Sequence, residues 1–422
     1  MNDGAELDCD LLVVGGGLAG SALARVMGRA GADVVVVERE RAFRDRIRGE
    51  VLHPWGVAEA HALDLVEPLL RDCAREMPML TGHVGGAAGP TRDTRVIEPH
   101  RLASLTFAHP AMQETLLAEA GRVATVLRGS TVTSLKPGPT PCATVSANGA
   151  SRLVRARLFV GADGRDSTIA GMLDLPREAD SEELITSGML VECDGLPPDS
   201  VHVHRDPHGG RMAILLSPAQ GLQRVYLIYR HDALPRRLSG ARDLPEALRH
   251  LHEIGVPHAH MADARLRGPY ASFDGAHRWI TTPYRDGVAL IGDAAGVSDP
   301  AWGCGLSRTL RDVRLLRDAL LADDQWTTAA PAYALQHDDA FQRLRKLERL
   351  YAELFMASGE EADELRGRLG PVLAEHPHST IALCGPEMEH EHLERLLGEL
   401  ARARLSGYES SVYLGHREHG SP

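Results

Sequence analysis

Lysine is almost missing from this sequence. Lys136 and Lys346 are the only two in a chain of 422 residues with 46 basic side chains, so nearly all positive charge is carried by arginine. The bias is of the kind that GC-rich codon usage produces. Its chemical consequence is that any reaction needing a lysine ammonium has two positions to draw on. Aromatic residues make up 4% of the chain, so the core must be mostly aliphatic. The six cysteines, at 9, 73, 142, 193, 304 and 384, form no CxxC and no His–Cys spacing of the zinc type. Such scattered cysteines fit the reduced thiols of a cytosol. No run of about 20 apolar residues is present, which argues against a membrane-spanning helix. The apolar stretch from Leu11 to Met27 is broken by Gly15, Gly16, Gly17 and Gly20. Asp8 and Asp10 stand before it, where a signal peptide carries positive charge. The expectation is a cytoplasmic protein without a membrane partner. Positive charge is also in deficit: the formal net charge of −12 excludes a general nucleic-acid binder.

What is present suits a folded globule. The hydrophobic fraction is 43%, and the length allows two or three domains with ample core. The chain opens as strand, glycine turn, helix and strand. Asp10–Val14 is a short buried apolar run, Leu18–Ala30 is rich in helix formers and stops at Gly31, and Asp33–Val37 is a continuous β-branched run. Val57–Leu70 and Ala111–Ala120 read as helices, and Gly82–Gly89 as a flexible loop. Thr131–Lys136 and Ala143–Ala147 flank a Pro/Gly turn and predict a hairpin. Residues 185–280 alternate short β-like runs with loops, as an antiparallel sheet does. From Leu306 the pattern is helical to about residue 405.

Three motifs carry chemistry. Gly15-Gly16-Gly17-Leu18-Ala19-Gly20 is a GxGxxG between a strand and a helix. Its first glycine permits the tight turn, its second lets the backbone approach a pyrophosphate, and its third lets helix pack on strand. The helix N-terminus presents free N–H groups to phosphates. Glu38, with Arg39 beside it, ends the second strand where an acid can bind a ribose hydroxyl. The second motif is Gly161-Ala162-Asp163-Gly164 after a short strand. The third is Gly292-Asp293-Ala294-Ala295, followed by Asp299-Pro300-Ala301-Trp302-Gly303-Cys304-Gly305-Leu306, in which strand, Gly-Asp, glycine-rich loop and helix recur.

In this order, over roughly residues 8–320, the three motifs resemble the class A flavoprotein monooxygenases, the para-hydroxybenzoate hydroxylase-like family. The resemblance implies an α/β, Rossmann-like (GR2-type) FAD-binding fold with an inserted antiparallel β-sheet substrate domain and a C-terminal helical segment. It implies that Gly15, Gly17, Leu18, Ala19, Gly20, Glu38 and Arg39 hold the ADP half of FAD. Asp163 would belong to the turn serving FAD and NAD(P)H, and Gly292 and Asp293 would meet the ribityl and pyrophosphate region. Pro300, Gly303, Gly305 and Leu306 would lie along the isoalloxazine. Arg46 and Arg48 match the family's arginine-bearing segment after the second strand. His109 falls where a Gln or Arg commonly opens the third helix, and Gly296 and Ser307 replace the family's frequent His and Asn. The implied activity is a monooxygenation: NAD(P)H reduces FAD, O2 adds at the flavin C4a, and the terminal oxygen hydroxylates or epoxidises a small organic, aromatic or polyketide-like, substrate, as in bacterial secondary metabolism.

The expected domains are FAD-binding over 8–75, 100–180 and 281–325, substrate-binding over 76–99 and 181–280, and helical over 326–422. A monomer or homodimer is expected, with room for a separate flavin reductase. His202 and His204 lie two apart on a strand and share a face. That face can line the substrate cavity or, less simply, hold a metal; no carboxylate or cysteine completes such a site, and no metal is expected. Tyr226 and Trp302 are further pocket candidates, with a His or Tyr as the base for a phenolic substrate. The rivals are a reductase or dehydrogenase of the same fold acting on C=C bonds, a redox-silent FAD-binding protein, and a flavin-dependent halogenase. A halogenase needs a catalytic lysine and a WxWxIP signature, and neither Lys136 nor Lys346 stands beside a flavin motif.

Overall fold

The computed structural model describes residues 6–387 except 194, 207, 376, 377 and 379, together with 395, 396 and 398. Part of the helical stretch expected up to residue 405 therefore lies outside the described residues.

An eight-stranded sheet and a seven-stranded sheet form the frame, with helices against both. The first sheet runs in the order Tyr284–Arg285, Val288–Leu290, Ala150–Gly161, Leu7–Val14, Val34–Glu38 and Thr125–Arg128, and Ser130–Lys136 and Cys142–Ala147 extend it as a hairpin. Leu7–Val14 pairs in parallel with its two neighbours, placing Val14 beside Val37 and Gly161. Val34–Val37 are all buried because helices cover one face and the hairpin side covers the other. The helix Leu18–Arg29 returns the chain between the first two strands and ends before Gly31, whose φ of +96° is the left-handed turn a glycine accepts.

The second sheet takes the order Arg265–Gly275, Leu184–Glu192, Leu222–Arg230, Arg211–Ala219, Ser200–Asp206, Met79–Val84 and Ala87–Asp93. All its pairs are antiparallel except Met79–Val84 with Ser200–Asp206. Gly82–Gly89 is thus not a loop. It forms most of a hairpin turning at Gly85 and Gly86, both at positive φ, and the strand pairing with Ser200–Asp206 satisfies its backbone. The single helix expected over Val57–Leu70 is two, Pro54–Ala62 and Val66–Asp72, broken where Asp64 takes a φ of +55°.

The helix Trp326–Phe355 joins the two halves. Trp326, Ala330, Tyr333 and Ala334 pack into the core around the first sheet, while Leu344, Leu347, Leu350 and Leu354 pack with Leu184, Met212 and Ile228 of the second. Each such leucine contributes about 1.5–3 kcal/mol by leaving water.

Candidate active site

Between the two sheets runs a cavity of about 420 Å³, with the first glycine turn at one end and one face of the second sheet at the other. Gly15 adopts a φ of +108°, and a Cβ there would overlap the Ala162 carbonyl, which belongs to the second motif. Gly17 borders the open space, and only Gln113 Nε2 would come near a Cβ there, at 3.4 Å. Leu18 and Ala19 line the cavity at the start of their helix. Gly20 does not, because it packs against the Gly15 carbonyl oxygen. Glu38 is buried. Its Oε2 accepts the Gly16 N–H at 2.6 Å and its Oε1 the Glu40 N–H at 2.6 Å, so the carboxylate is fixed at the cavity edge.

Arginines follow. Arg39, Arg44, Arg46, Arg48 and Arg165 all line the cavity. Arg46 bonds Glu40 at 2.6 Å, and Arg48 lies 3.8 Å from Asp293, its guanidinium pKa held below the ordinary value by burial. Asp163 accepts the Thr168 and Ile169 N–H groups through Oδ2, at 2.7 and 3.2 Å, while its Oδ1 is buried without a partner, as is Arg165 Nε. The unmet Arg165 Nε, the open Gly17 backbone and the arginine rim suit a dinucleotide diphosphate, while the unmet Asp163 oxygen suits a hydroxyl donor.

The third motif closes the middle. Asp293 accepts from Arg308 at 3.1 Å, and the same buried arginine bonds Asp312 at 3.0 Å. Gly292 donates its N–H to Asp312 at 3.0 Å and stands behind the wall rather than on it. Pro300, Gly303, Gly305 and Leu306 line the cavity, with Gly303 at a φ of +68°. The helix Gly305–Ala322 begins there without a side-chain cap, leaving N–H groups at its end. His109 lines the opposite side. Its Nδ1 donates to the Gly49 carbonyl at 2.8 Å, and burial pushes its pKa down to about 4, so the ring is neutral at pH 7.

At the far end stand Thr186, Ile214, Leu216, Tyr226 and Phe273 of the second sheet. Tyr226 donates its hydroxyl to the Arg48 carbonyl at 3.0 Å, and burial raises its pKa far above the ordinary phenol value. It is therefore no base at neutral pH. Tyr229 points the other way, into the core under the helix Leu244–Glu253.

Three other pocket candidates lie elsewhere. In the sheet register His202 pairs with Leu215 and His204 with Ala213, residues whose side chains face that same helix, whereas Ile214 and Leu216 face the cavity. The alternation that puts the two histidines on one face puts them on the wrong one for substrate. Trp302 packs edge-on against Tyr351, 5.7 Å between ring centres, behind the loop rather than in the cavity.

Sequence reasoning missed two things. One is the buried pair Glu50–Arg224, in which Arg224 Nε and Nη2 donate at 2.6 and 2.8 Å to a carboxylate 174 residues away. The other is the apolar wall of Ile214, Leu216 and Phe273. Alternation along Leu222–Arg230 places Arg224 and Tyr226 on one face, a readable signal, but nothing local says which face meets the cavity.

A family profile described as "FAD binding domain" matches residues 8–327. The chain belongs to this family. It is an FAD-dependent monooxygenase. Among its relatives, 6-methylpretetramide 4-monooxygenase of Streptomyces rimosus is 27% identical over 391 residues, covering 89% of this chain and 90% of that protein. Two solved structures share the fold. The p-nitrophenol 4-monooxygenase PnpA of Pseudomonas putida DLL-E4 has a TM-score of 0.74 at 20% identity, over 92% of this chain and 98% of its own. The flavin-dependent brominase Bmp2 has 0.73 at 18% identity, over 96% of this chain and 100% of its own. Both of this flavoprotein's lysines are exposed and neither lines the cavity. No helix among the described residues is long and apolar enough to cross a membrane.

Proposed function

We propose that this monooxygenase takes reducing equivalents from NAD(P)H and hydroxylates a planar aromatic or polyketide-like phenol. One observation carries the reading: the dinucleotide end of the cavity and the apolar end at Ile214, Leu216, Tyr226 and Phe273 are one continuous space. The likeness to 6-methylpretetramide 4-monooxygenase over 89% of this chain supports the substrate class. The absence of lysine from the cavity argues against halogenation.

FAD supplies the redox and oxygen chemistry when bound. The chain's own part is to hold and orient. Gly15, Gly17 and the end of Leu18–Arg29 receive the diphosphate, Glu38 a ribose, and Arg39, Arg46 and Arg48 the remaining anionic groups. Asp163 and Asp293 take up hydroxyl-rich parts of the chain between the rings. Pro300, Gly303 and Leu306 shape the ring site. The N–H groups of Gly305–Ala322 stabilise negative charge that develops beside them. Ile214, Leu216 and Phe273 exclude water from the substrate. Tyr226 keeps its proton and fixes the Arg48 backbone.

The test is NADH and NADPH oxidation with and without a panel of hydroxylated naphthalenes, anthraquinones and tetracyclic phenols, followed by mass spectrometry under 18O2. Substrate-stimulated oxidation with one labelled oxygen in the product is expected. Turnover without oxygen would replace the reading with a dehydrogenase. FAD that NAD(P)H leaves oxidised, but that an added flavin reductase supports, would assign the reducing step to a partner.

A further inference from the structure

The face of the second sheet turned away from the cavity carries a cluster of histidines that flavin chemistry does not use. His83, on Met79–Val84, pairs in register with His204 on Ser200–Asp206, and His202 lies two residues before it on the same face. One nitrogen from each of the three falls within 4.8 Å of the others. His83 Nε2 and His202 Nδ1 are 3.1 Å apart. His260, from the turn His258–His260, approaches His202 edge-on at 5.5 Å between ring centres, with a buried Nδ1 that has no partner.

We propose that His83, His202 and His204 form a zinc-type divalent metal site on the back of the substrate sheet, with His260 poised at the fourth position.

Three observations carry it. In a tetrahedral zinc site with bonds of about 2.0–2.1 Å, neighbouring nitrogens stand about 3.3 Å apart, close to the His83–His202 separation. His204 is fully buried with both ring nitrogens lacking a hydrogen bond; the Gly255 carbonyl lies near without reaching bonding geometry. A buried imidazole with two unmet nitrogens is costly unless something else binds them. Finally, His202 Nε2 lies 3.1 Å from Ser200 Oγ. If it donates there, Nδ1 is left with its lone pair toward the cluster, the outer-partner arrangement that orients metal-binding histidines.

His83 and His204 now stack at 3.9 Å between centres, so one ring must swing about its Cα–Cβ and Cβ–Cγ bonds to aim at a shared ion. His202 and His260 are half-exposed and give the ion its entry. No carboxylate or thiolate belongs to the donor set, so the ion keeps its double charge. The ion would cross-link residues 119 apart in sequence, stabilising the sheet much as a long-loop disulfide does.

The FAD-loaded enzyme, tag-free and stripped with EDTA, is titrated with ZnCl2 by calorimetry, and retained zinc is counted by mass spectrometry after dialysis. One equivalent is expected, with a rise in melting midpoint and an unchanged flavin spectrum. His204→Ala and His202→Asn should each weaken binding at least tenfold. His258→Ala, which removes one ring of the separate His252–His258 stack, should leave it intact. If His204→Ala does not fold, His202→Asn at its half-exposed position decides alone. No zinc uptake, wild-type affinity in both ligand variants, or loss of the equivalent in His258→Ala would overturn the proposal.

Discussion

Replacing Arg224 with methionine should expose how the cavity segment 44–50 is held. Arg224 is about 1% exposed, and it gives two bonds to Glu50 at 2.6 and 2.8 Å and one to Asp45 at 3.1 Å. Burial raises the Glu50 pKa, and the bonds from Arg224 oppose that rise. Methionine fills similar volume but leaves the Glu50 carboxylate without a countercharge. Breaking such a pair from one side costs about 3–5 kcal/mol. At about 2.1 cal/mol/K per residue, a cooperative melt of 422 residues would shift by roughly 3–6 °C. The sign of the pH dependence follows. An acid whose folded pKa lies above its unfolded value destabilises the fold increasingly as pH rises through that window. The deficit of Arg224→Met should therefore be largest at pH 7 and above and shrink toward pH 5. The double variant Glu50→Gln with Arg224→Met should recover most of the loss, because it buries no lone charge. Urea unfolding of the FAD-loaded forms at pH 5, 6 and 7.5 measures this. A single variant within 1 kcal/mol of the parent, or a deficit that does not change with pH, would refute the reasoning.

Gly20→Ala should lower bound FAD at least tenfold in purified protein, measured by the flavin-to-protein absorbance ratio, since its Cβ would overlap the Gly15 carbonyl that shapes the turn. Tyr226→Phe should cost about 0.5–1.5 kcal/mol for the lost bond to Arg48 and leave the pH profile of kcat unchanged, because the phenol never ionises in the working range. A basic limb lost in that variant would make Tyr226 the base after all. Asp299 is pushed up to about 6 by burial from an ordinary 3.8, so its carboxylate weakens the fold as pH rises from about 4 to about 6. Asp299→Asn should gain stability over the parent across that window, by about 3 kcal/mol at most, and hold a constant gain above it. Thermal melts from pH 4.5 to 8 check the trend, and a gain that falls with pH contradicts it.

The parts of this molecule that could be read from the chain are those whose partners lie nearby in it. The turn at Gly15 needs a left-handed backbone, and the strand Val34–Val37 needs two covered faces; each requirement is written within thirty residues. The histidines show where that kind of reading ends. A spacing of two puts His202 and His204 on a common face, but which face meets the cavity depends on Arg211–Ala219 and Leu222–Arg230 pairing beside them and on the helix Leu244–Glu253 covering one side. Gly82–Gly89 failed for a related reason. Its glycines fit a loop, and only the hairpin with Ala87–Asp93 and the parallel pairing with Ser200–Asp206 make it strand, bringing His83 against His204. Glu50 and Arg224 are the extreme case, since two charges 174 residues apart are each ordinary in their own segment. The physical distinction is between backbone demands and side-chain encounters. A glycine at positive φ is dictated by its own torsions, whereas a buried ion pair or histidine cluster exists only once the sheet that joins its members has formed.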